Sequence, residues 1–342
     1  MATIKQIAKL AGVSRGTVDR VLNQRGSVNP DTEKRVIDIA KAINYVPNIA
    51  GKTLAAKKKQ LKFGYILFGS TSSNPFFYDI IRGIQSRAEE LAEYGVTVTI
   101  RYSPIDKPDL QVQLIDELFD SGIAGLVITP INHPVVVDRL KKLTGVGIPV
   151  VTANSDLPDC GRIAYVGSDY YKSGETAAGM MNMVCGGKAT VGVIIGSPWV
   201  LCHSERLAGF KKRIEISYPQ IKIVGLEVNN DDDLDSFVVT RRLFKSNPEI
   251  NALFLAAAGV AGACRALDEL GLQRKIKIIS FDTTAFTCDM VNKGIISATI
   301  DQEPFVQGAK PLSILMDYLG MDIAPDKEFY YTKVEIKIME NL

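Results

Sequence analysis

From Leu61 onward, short apolar runs alternate with amphipathic helical stretches, and the alternation runs through twice. No other feature of the chain restricts its fold as much. A strand is expected at 62–68. A helix follows at 74–94, with Phe77, Ile80, Ile81, Ile84, Ala88 and Leu91 recurring on one side. Further strands are expected at 96–102, 125–129 and 149–152, separated by helices. The pattern restarts at 163–166 and continues through 191–195, 221–228, 252–255 and 276–281. Strand–helix alternation predicts parallel sheets covered by helices on both faces. Two runs predict two lobes, with a ligand site between them at the carboxyl ends of the strands. The 342 residues, 46% of them apolar, are enough for two or three domains with packed cores.

The first sixty residues have a different grammar. Residues 4–11 predict a helix, with Ile4, Ile7, Ala8 and Ala11 inward. Gly12 permits a turn, and Ser14 is placed to cap the next helix, whose Thr17, Val18, Val21 and Leu22 form its apolar side. Arg15, Gly16, Asp19 and Arg20 are left facing outward. Asn29-Pro30-Asp31, with Glu33, starts a third helix, which runs to about Asn44 with Val36, Ile37, Ala40 and Ile43 inward. Residues 45–56 form a weak helix with little to pack against. A helical hairpin with a solvated charged face is the bland reading. A helix-turn-helix that places its second helix in a DNA major groove is the sharper one.

Charge supports the sharper reading. The net charge of +2 conceals an asymmetry. Residues 1–62 hold 13 Lys/Arg against 4 Asp/Glu, and the remaining 280 hold 27 against 34. A basic head on an acidic body suits a polyanion bound by the head alone. Lys57-Lys58-Lys59 closes the head, as a solvated run, a set of phosphate contacts, or both in turn.

Other classes find little support. The N-terminus has no apolar run to serve as a cleavable signal, and no stretch approaches the ~18 apolar residues of a membrane span. The five cysteines are scattered without CxxC spacing, so reduced thiols in a cytoplasm are expected. His133 and His203 have no metal-ligand spacing, and Cys202-His203 lacks a placed acid for nucleophilic chemistry. Gly192 and Gly196 flank a strand without forming a phosphate loop. Asp231-Asp232-Asp233 reads as a helix N-terminus rather than a cation site. No catalytic residue, metal or cofactor is called for.

The stretch VSRGTVDRVLN, with the third helix and NYVPNIAGKTLA, resembles the head and hinge of LacI-type (lactose-repressor-like) regulators over about sixty residues. The resemblance implies DNA-facing roles for Thr3, Ser14, Arg15, Gly16, Thr17, Arg20, Asn23, Asn48, Leu54 and Lys57. Arg15 and Gly16 take the base-reading positions, Arg20 a third groove contact, and Leu54 the hinge-helix wedge in the minor groove. Arginine suits guanine bidentately, and an apolar wedge unstacks and bends the duplex. Gly16 offers no side chain for readout. Asp19 stands where the family often has serine, and it either accepts from a cytosine amino group or sets Arg15 or Arg20.

The body, 61–342, resembles the periplasmic sugar-binding fold carried behind that head. The implied fold class is an all-α helix-turn-helix head with a hinge helix, followed by a two-lobed periplasmic-binding-protein-like α/β core with a parallel sheet in each lobe. The implied divisions are 1–46 for the head and 47–60 for hinge and linker. They continue with 61–161 plus 293–320 for the N-lobe, and 162–292 plus 321–342 for the C-lobe. The chain would then cross between lobes near Gly161, Lys293 and Gly320. The ligand positions implied are Ser70, Asn74, Phe76, Phe77, Asn154, Trp199, Arg206, Asp282 and Gln302. Asn74-Pro75-Phe76-Phe77 is similar to the first strand–helix loop of ribose-type binding proteins, though one of the two rings, Phe77 before Phe76, also reads as core. Trp199 lines the cleft mouth or shields it. Two polar anchors of the sugar binders are missing or softened, with Ala153-Asn154-Ser155 and Ala256-Ala257-Ala258 in their places.

The expectation is a cytoplasmic, ligand-responsive DNA-binding regulator, most often a repressor in this family. It would bind a pseudo-palindromic operator as a homodimer and sense a small sugar or sugar derivative, with no membrane partner and no enzymatic activity. The rival readings are a sugar-binding transport protein, which leaves the basic head unexplained, a regulator controlled by a partner protein, and an enzyme on a doubly wound fold, for which no cofactor loop or triad appears.

Overall fold

The computed structural model describes residues 3–22, 28–43, 45, 60–69 and 75–342. The head holds α1 (Ile4–Ala11), α2 (Arg15–Leu22) and α3 (Pro30–Ala42). Caps set their ends. The Thr3 hydroxyl accepts from the Gln6 amide while the Gln6 side chain accepts from the Thr3 amide. Gly12, at φ 65°, closes α1 in the left-handed region. The Ser14 hydroxyl accepts from the Thr17 amide at 3.0 Å, as its sequence position predicts. Asn29 caps α3 ahead of Pro30. Ile7, Ala8, Ala11, Val18, Val21, Val36 and Ala40 make the small core, with Ile37 and Ile43 at its margin. Of the expected hinge and linker, 47–60, all but Gln60 lies outside the described residues, as do Asn23, Asn48, Leu54 and Lys57.

The body contains two six-stranded sheets. The first joins β1 (Lys62–Phe68), β2 (Thr97–Ser103), β3 (Gly125–Ile128), β4 (Val150–Ala153), β5 (Ala164–Gly167) and β11 (Phe329–Tyr331). Its order is β11-β5-β4-β3-β1-β2, and every neighbouring pair is parallel. Its helices are α4 (Phe76–Ala92), α5 (Pro108–Asp120), α6 (Pro134–Gly145) and α12 (Pro304–Leu315). The second sheet joins β6 (Ala189–Ile195), β7 (Ile221–Val228), β8 (Ala252–Leu255), β9 (Lys277–Phe281), β10 (Ala298–Asp301) and β12 (Glu335–Lys337), in the order β12-β10-β9-β8-β6-β7. Only β12 runs antiparallel. Its helices are α7 (Tyr170–Val184), α8 (Leu201–Ser217), α9 (Asp233–Ser246), α10 (Val260–Glu269) and α11 (Ala285–Asn292). Strands β3, β4, β5 and β8 are buried along their whole length, which is why they read as unbroken apolar runs.

The lobe crossings differ from those the resemblance implied. β5 pairs with β4, so the chain stays in the first lobe past Gly161 and leaves it at Ser168. β10 pairs with β9, so the return falls at Gln302, not near Lys293. β11 pairs with β5 and β12 with β10, so the last crossing is at Thr332, well beyond Gly320. The cause is local. Residues 163–166 were expected to restart the pattern in a second lobe, but β5 completes the first sheet. β10, β11 and β12 are three or four residues long, too short to show a periodic pattern of their own.

One helix crossing positions the site. A Cβ on Gly174 of α7 would collide with the Arg206 carbonyl of α8, and one on Gly209 of α8 with the Tyr171 carbonyl of α7. The two backbones therefore meet directly, and Arg206 is delivered against the Tyr170 ring.

Candidate functional site

The two sheets point their carboxyl ends at each other across a narrow cleft whose enclosed cavity is about 30 Å³. Its walls are Phe68, Phe76, Phe77 and Asn154 from the first lobe. The second lobe contributes Val200, Cys202, His203, Arg206, Asp231, Ala257, Ala258 and Asp282, and the crossing residue Gln302 completes it. Asn154 follows β4 and Asp282 follows β9 directly, while Asp231 lies three residues past β7. Their φ values of 64°, 71° and 60° place all three in the left-handed region, which Asn and Asp tolerate best.

Arg206 organises the polar side. It is 3% exposed and stacks between Tyr170 and Phe281, with its guanidinium 4.8 and 3.9 Å from the ring centroids. Nη1 donates to the Ala256 carbonyl at 2.8 Å and Nη2 to the Gln302 Oε1 at 2.5 Å. Its Nε is buried without a partner among the described residues. The Gln302 amide donates onward to Asp282 Oδ1. Burial pushes the Asp282 carboxyl up to about 6, against the opposing pull of Arg206 and the Gln302 bond. Asn154 spends its amide on Gln307 Oε1 at 3.0 Å and on the Tyr170 hydroxyl at 3.3 Å.

Three aromatic rings form the opposite side. Phe76 and Phe77 meet edge-on at 5.6 Å, and Phe77 meets Phe68 at 6.4 Å. Both residues of the pair line the cleft, so the alternative in which Phe77 serves the core alone gives way to one in which it serves both. An apolar wall facing forked donors and acceptors suits a polyol, whose CH face stacks while its hydroxyls bond.

Trp199 stands elsewhere. It is 46% exposed and does not line the cleft. Its carbonyl accepts from the Asn132 amide of the first lobe at 2.8 Å, and its ring lies 5.6 Å from that of His133. It thus sits at a contact between the two lobes. Ser70 and Asn74 lie outside the described residues.

Two titratable cleft residues, His203 and Asp231, carry no ligand signal in the sequence. His203 sits one helical turn before Arg206 on α8 and faces the same way. Of the three consecutive acids, Asp232 caps α9 and Asp233 opens it, as expected, but Asp231 turns into the cleft. What the sequence does show is Asp231's place after a strand of the second run. Burial pulls the His203 pKa down, but the Asp231 carboxylate and Cys202 outweigh it and bring it to about 9.

In the head, Ser14, just ahead of α2, and Arg15, Gly16 and Arg20 within it are exposed. Thr3 and Thr17 have their hydroxyls in the capping contacts of α1 and α2. Burial raises the Tyr45 pKa, and the nearby Asp19 carboxylate adds to it, which places Asp19 toward the end of α3. Among the described residues no helix is long and apolar enough to cross a membrane.

A basic helix-turn-helix carried on a two-lobed ligand cleft defines a DNA-binding regulator with a small-molecule-sensing body. Residues 3–48 match the lacI family of bacterial regulatory proteins, and residues 64–322 match the periplasmic binding protein domain. The chain belongs to the periplasmic binding protein domain family and carries a lacI-family head in front of that domain. It is 28% identical over 288 residues to the ribose operon repressor of Halalkalibacterium halodurans, covering 82% of this chain and 80% of that one. It is 27% identical over 263 residues to the ribose import binding protein of Bacillus subtilis, covering 77% and 83%. Among solved structures, a sugar-binding protein of a sugar ABC transporter from Bacillus halodurans superposes with a TM-score of 0.71 at 29% identity, covering 82% of this chain and 98% of that one.

Proposed function

We propose that this protein is a repressor that binds a pseudo-palindromic operator as a homodimer in the cytoplasm and responds to a small, neutral polyol such as a monosaccharide. One observation carries the reading. The outward arginines of α2 and a small cleft with an aromatic wall and a forked polar side occur in one chain. The repressor and sugar-binding relatives support it, and their identification as regulators and binding proteins speaks against an enzyme. Arg15 reads bases, with Arg20 beside it. A guanidinium, a bridging amide and a carboxyl joined by hydrogen bonds present forked donors and acceptors of the kind that suit hydroxyls.

The proposed coupling runs through lobe closure. Ligand binds the closed lobes better than the open ones, and this difference limits how far it can shift the DNA-binding equilibrium. Footprinting on fragments from the protein's own upstream region tests the head. A protected palindrome supports the reading, and uniform, sequence-independent protection at low salt contradicts it. Thermal shift with monosaccharides and inositols tests the body. A ligand at about 100 times its Kd adds roughly 2.7 kcal/mol of stability.

A further inference from the structure

His203 and Asp231 form a second polar cluster on the cleft wall, apart from the chain of bonds that links Arg206, Gln302 and Asp282. Each is pinned by a backbone amide on its far side. The Ser197 amide donates to His203 Nδ1 at 2.9 Å, and the Ala258 amide donates to Asp231 Oδ1 at 3.1 Å. The near atoms are then left facing each other. His203 Nε2 and Asp231 Oδ2 stand 3.6 Å apart, too far for a direct hydrogen bond. Because Nδ1 accepts from an amide, the proton of the neutral ring sits on Nε2. A second proton would go to Nδ1, which also has the Ser197 carbonyl at 3.3 Å. Nε2–H is a donor in either charge state.

The backbone is shaped to hold this pair. A Cβ on Gly196 would collide with the His203 ring and with Asp231 Oδ1, so only glycine at the end of β6 lets the two side chains sit there. Asp231 itself holds a left-handed backbone at φ 60° to aim its carboxylate inward. A donor and an acceptor separated by a gap, both lining the cavity, match a group that accepts and donates at once. A hydroxyl does so. A carbonyl or ether can only accept, and an ammonium can only donate.

We propose that His203 and Asp231 select the ligand by reading one of its hydroxyls, with Nε2–H donating to the hydroxyl oxygen and Asp231 Oδ2 accepting its proton. The proposal rests on the reading of the cleft as a polyol site and adds to it a named specificity pair. A ligand lacking that hydroxyl leaves the 3.6 Å gap between Nε2–H and Oδ2 unbridged, and a site built to hydrogen-bond a hydroxyl discriminates against an analogue without it.

The test is calorimetric titration of the full chain with D-ribose, D-arabinose, D-allose and myo-inositol, and with the monodeoxy analogues of whichever binds. In the wild type, removing one particular hydroxyl is expected to weaken binding roughly 5- to 150-fold, the equivalent of about 1–3 kcal/mol. In Asp231→Asn, which is isosteric, and in His203→Ala, that same deoxy analogue should bind as well as its parent. His203→Gln, whose amide can donate from near the Nε2 position, should restore part of the discrimination. If the parent-to-deoxy ratio at every hydroxyl is the same in wild type and in correctly folded Asp231→Asn, the proposal is overturned. If the wild type binds none of the four probes, the polyol reading of the cleft falls, and the pair falls with it.

Discussion

Ser168 and Thr332 lie 3.0 Å apart through their hydroxyls, both buried, and so tie together two of the three segments that cross between the lobes. The Thr332 amide also donates to the Gly167 carbonyl, extending the tie into the backbone. At the third crossing, the Lys333 amide donates to the Glu303 carboxylate at 2.8 Å. The hinge of the body is a small hydrogen-bonded knot, not three loose strands. Thr332→Val keeps the shape but leaves the Ser168 hydroxyl buried without its partner. The expected cost is about 1–3 kcal/mol in urea unfolding. An unchanged midpoint and slope would show that the knot is not structural.

The Asp282 carboxyl gives the fold a pH signature. Burial raises its pKa from 3.8 to about 6, so between those values the folded state holds a proton that the unfolded chain releases. Stability from this group is therefore highest below about pH 4 and falls as pH rises through 6. Asp282→Asn removes the dependence. Relative to wild type, the variant should gain roughly 2–3 kcal/mol between pH 4 and pH 7 in a pH series of denaturant melts, from a shift of about two units at 1.36 kcal/mol each. Parallel curves for the two proteins would contradict the assignment.

Much of this molecule was legible in its sequence, and the failures share a cause. The strands of the two sheets that carry their own apolar runs, such as β1 and β8, announce themselves, as do the caps at Ser14 and Asn29. Arg206, Asp282, Gln302, Asn154 and both phenylalanines come together in the cleft. β10, β11 and β12 have too few residues to show a period, and their partners lie far away in sequence. Without them the sequence pattern does not locate the crossings. His203 and Asp231 were missed because direction, not composition, assigns their role. Asp231 and Asp232 are identical in type, and only the left-handed φ of Asp231 turns one into the cleft while the other caps α9.

Gly16 is a position where structure and readout separate. A Cβ there would meet only the Ser14 hydroxyl, at an ordinary 3.7 Å. Gly16→Ala should therefore stabilise α2 by up to about 1 kcal/mol, visible as slower amide exchange in that helix. It also supplies a methyl that can contact thymine, so the preferred operator should change while binding to random DNA stays the same. Loss of α2 protection would mean the exposed side has been misassigned.

Gly174 makes the opposite case. Its added Cβ would strike the Arg206 carbonyl across the α7–α8 crossing. Gly174→Ala should cost about 1–3 kcal/mol through forced backbone separation. It should also blunt ligand binding, because Arg206 moves with its helix. Gly122→Ala, where φ is 79° and nothing lies within 4 Å, controls for a glycine whose strain is purely conformational, and it should leave ligand binding intact.

The claim that one chain joins base reading to polyol sensing is tested most directly by fluorescence anisotropy on the footprinted operator. Titrations are run at fixed salt, with and without the monosaccharide or inositol that raises the melting temperature. The account predicts a change in operator Kd of about 5- to 150-fold with ligand, matching a coupling of 1–3 kcal/mol, and no change in Arg206→Ala under the same conditions. An operator Kd that is identical with and without a saturating cleft ligand in the wild type would contradict it.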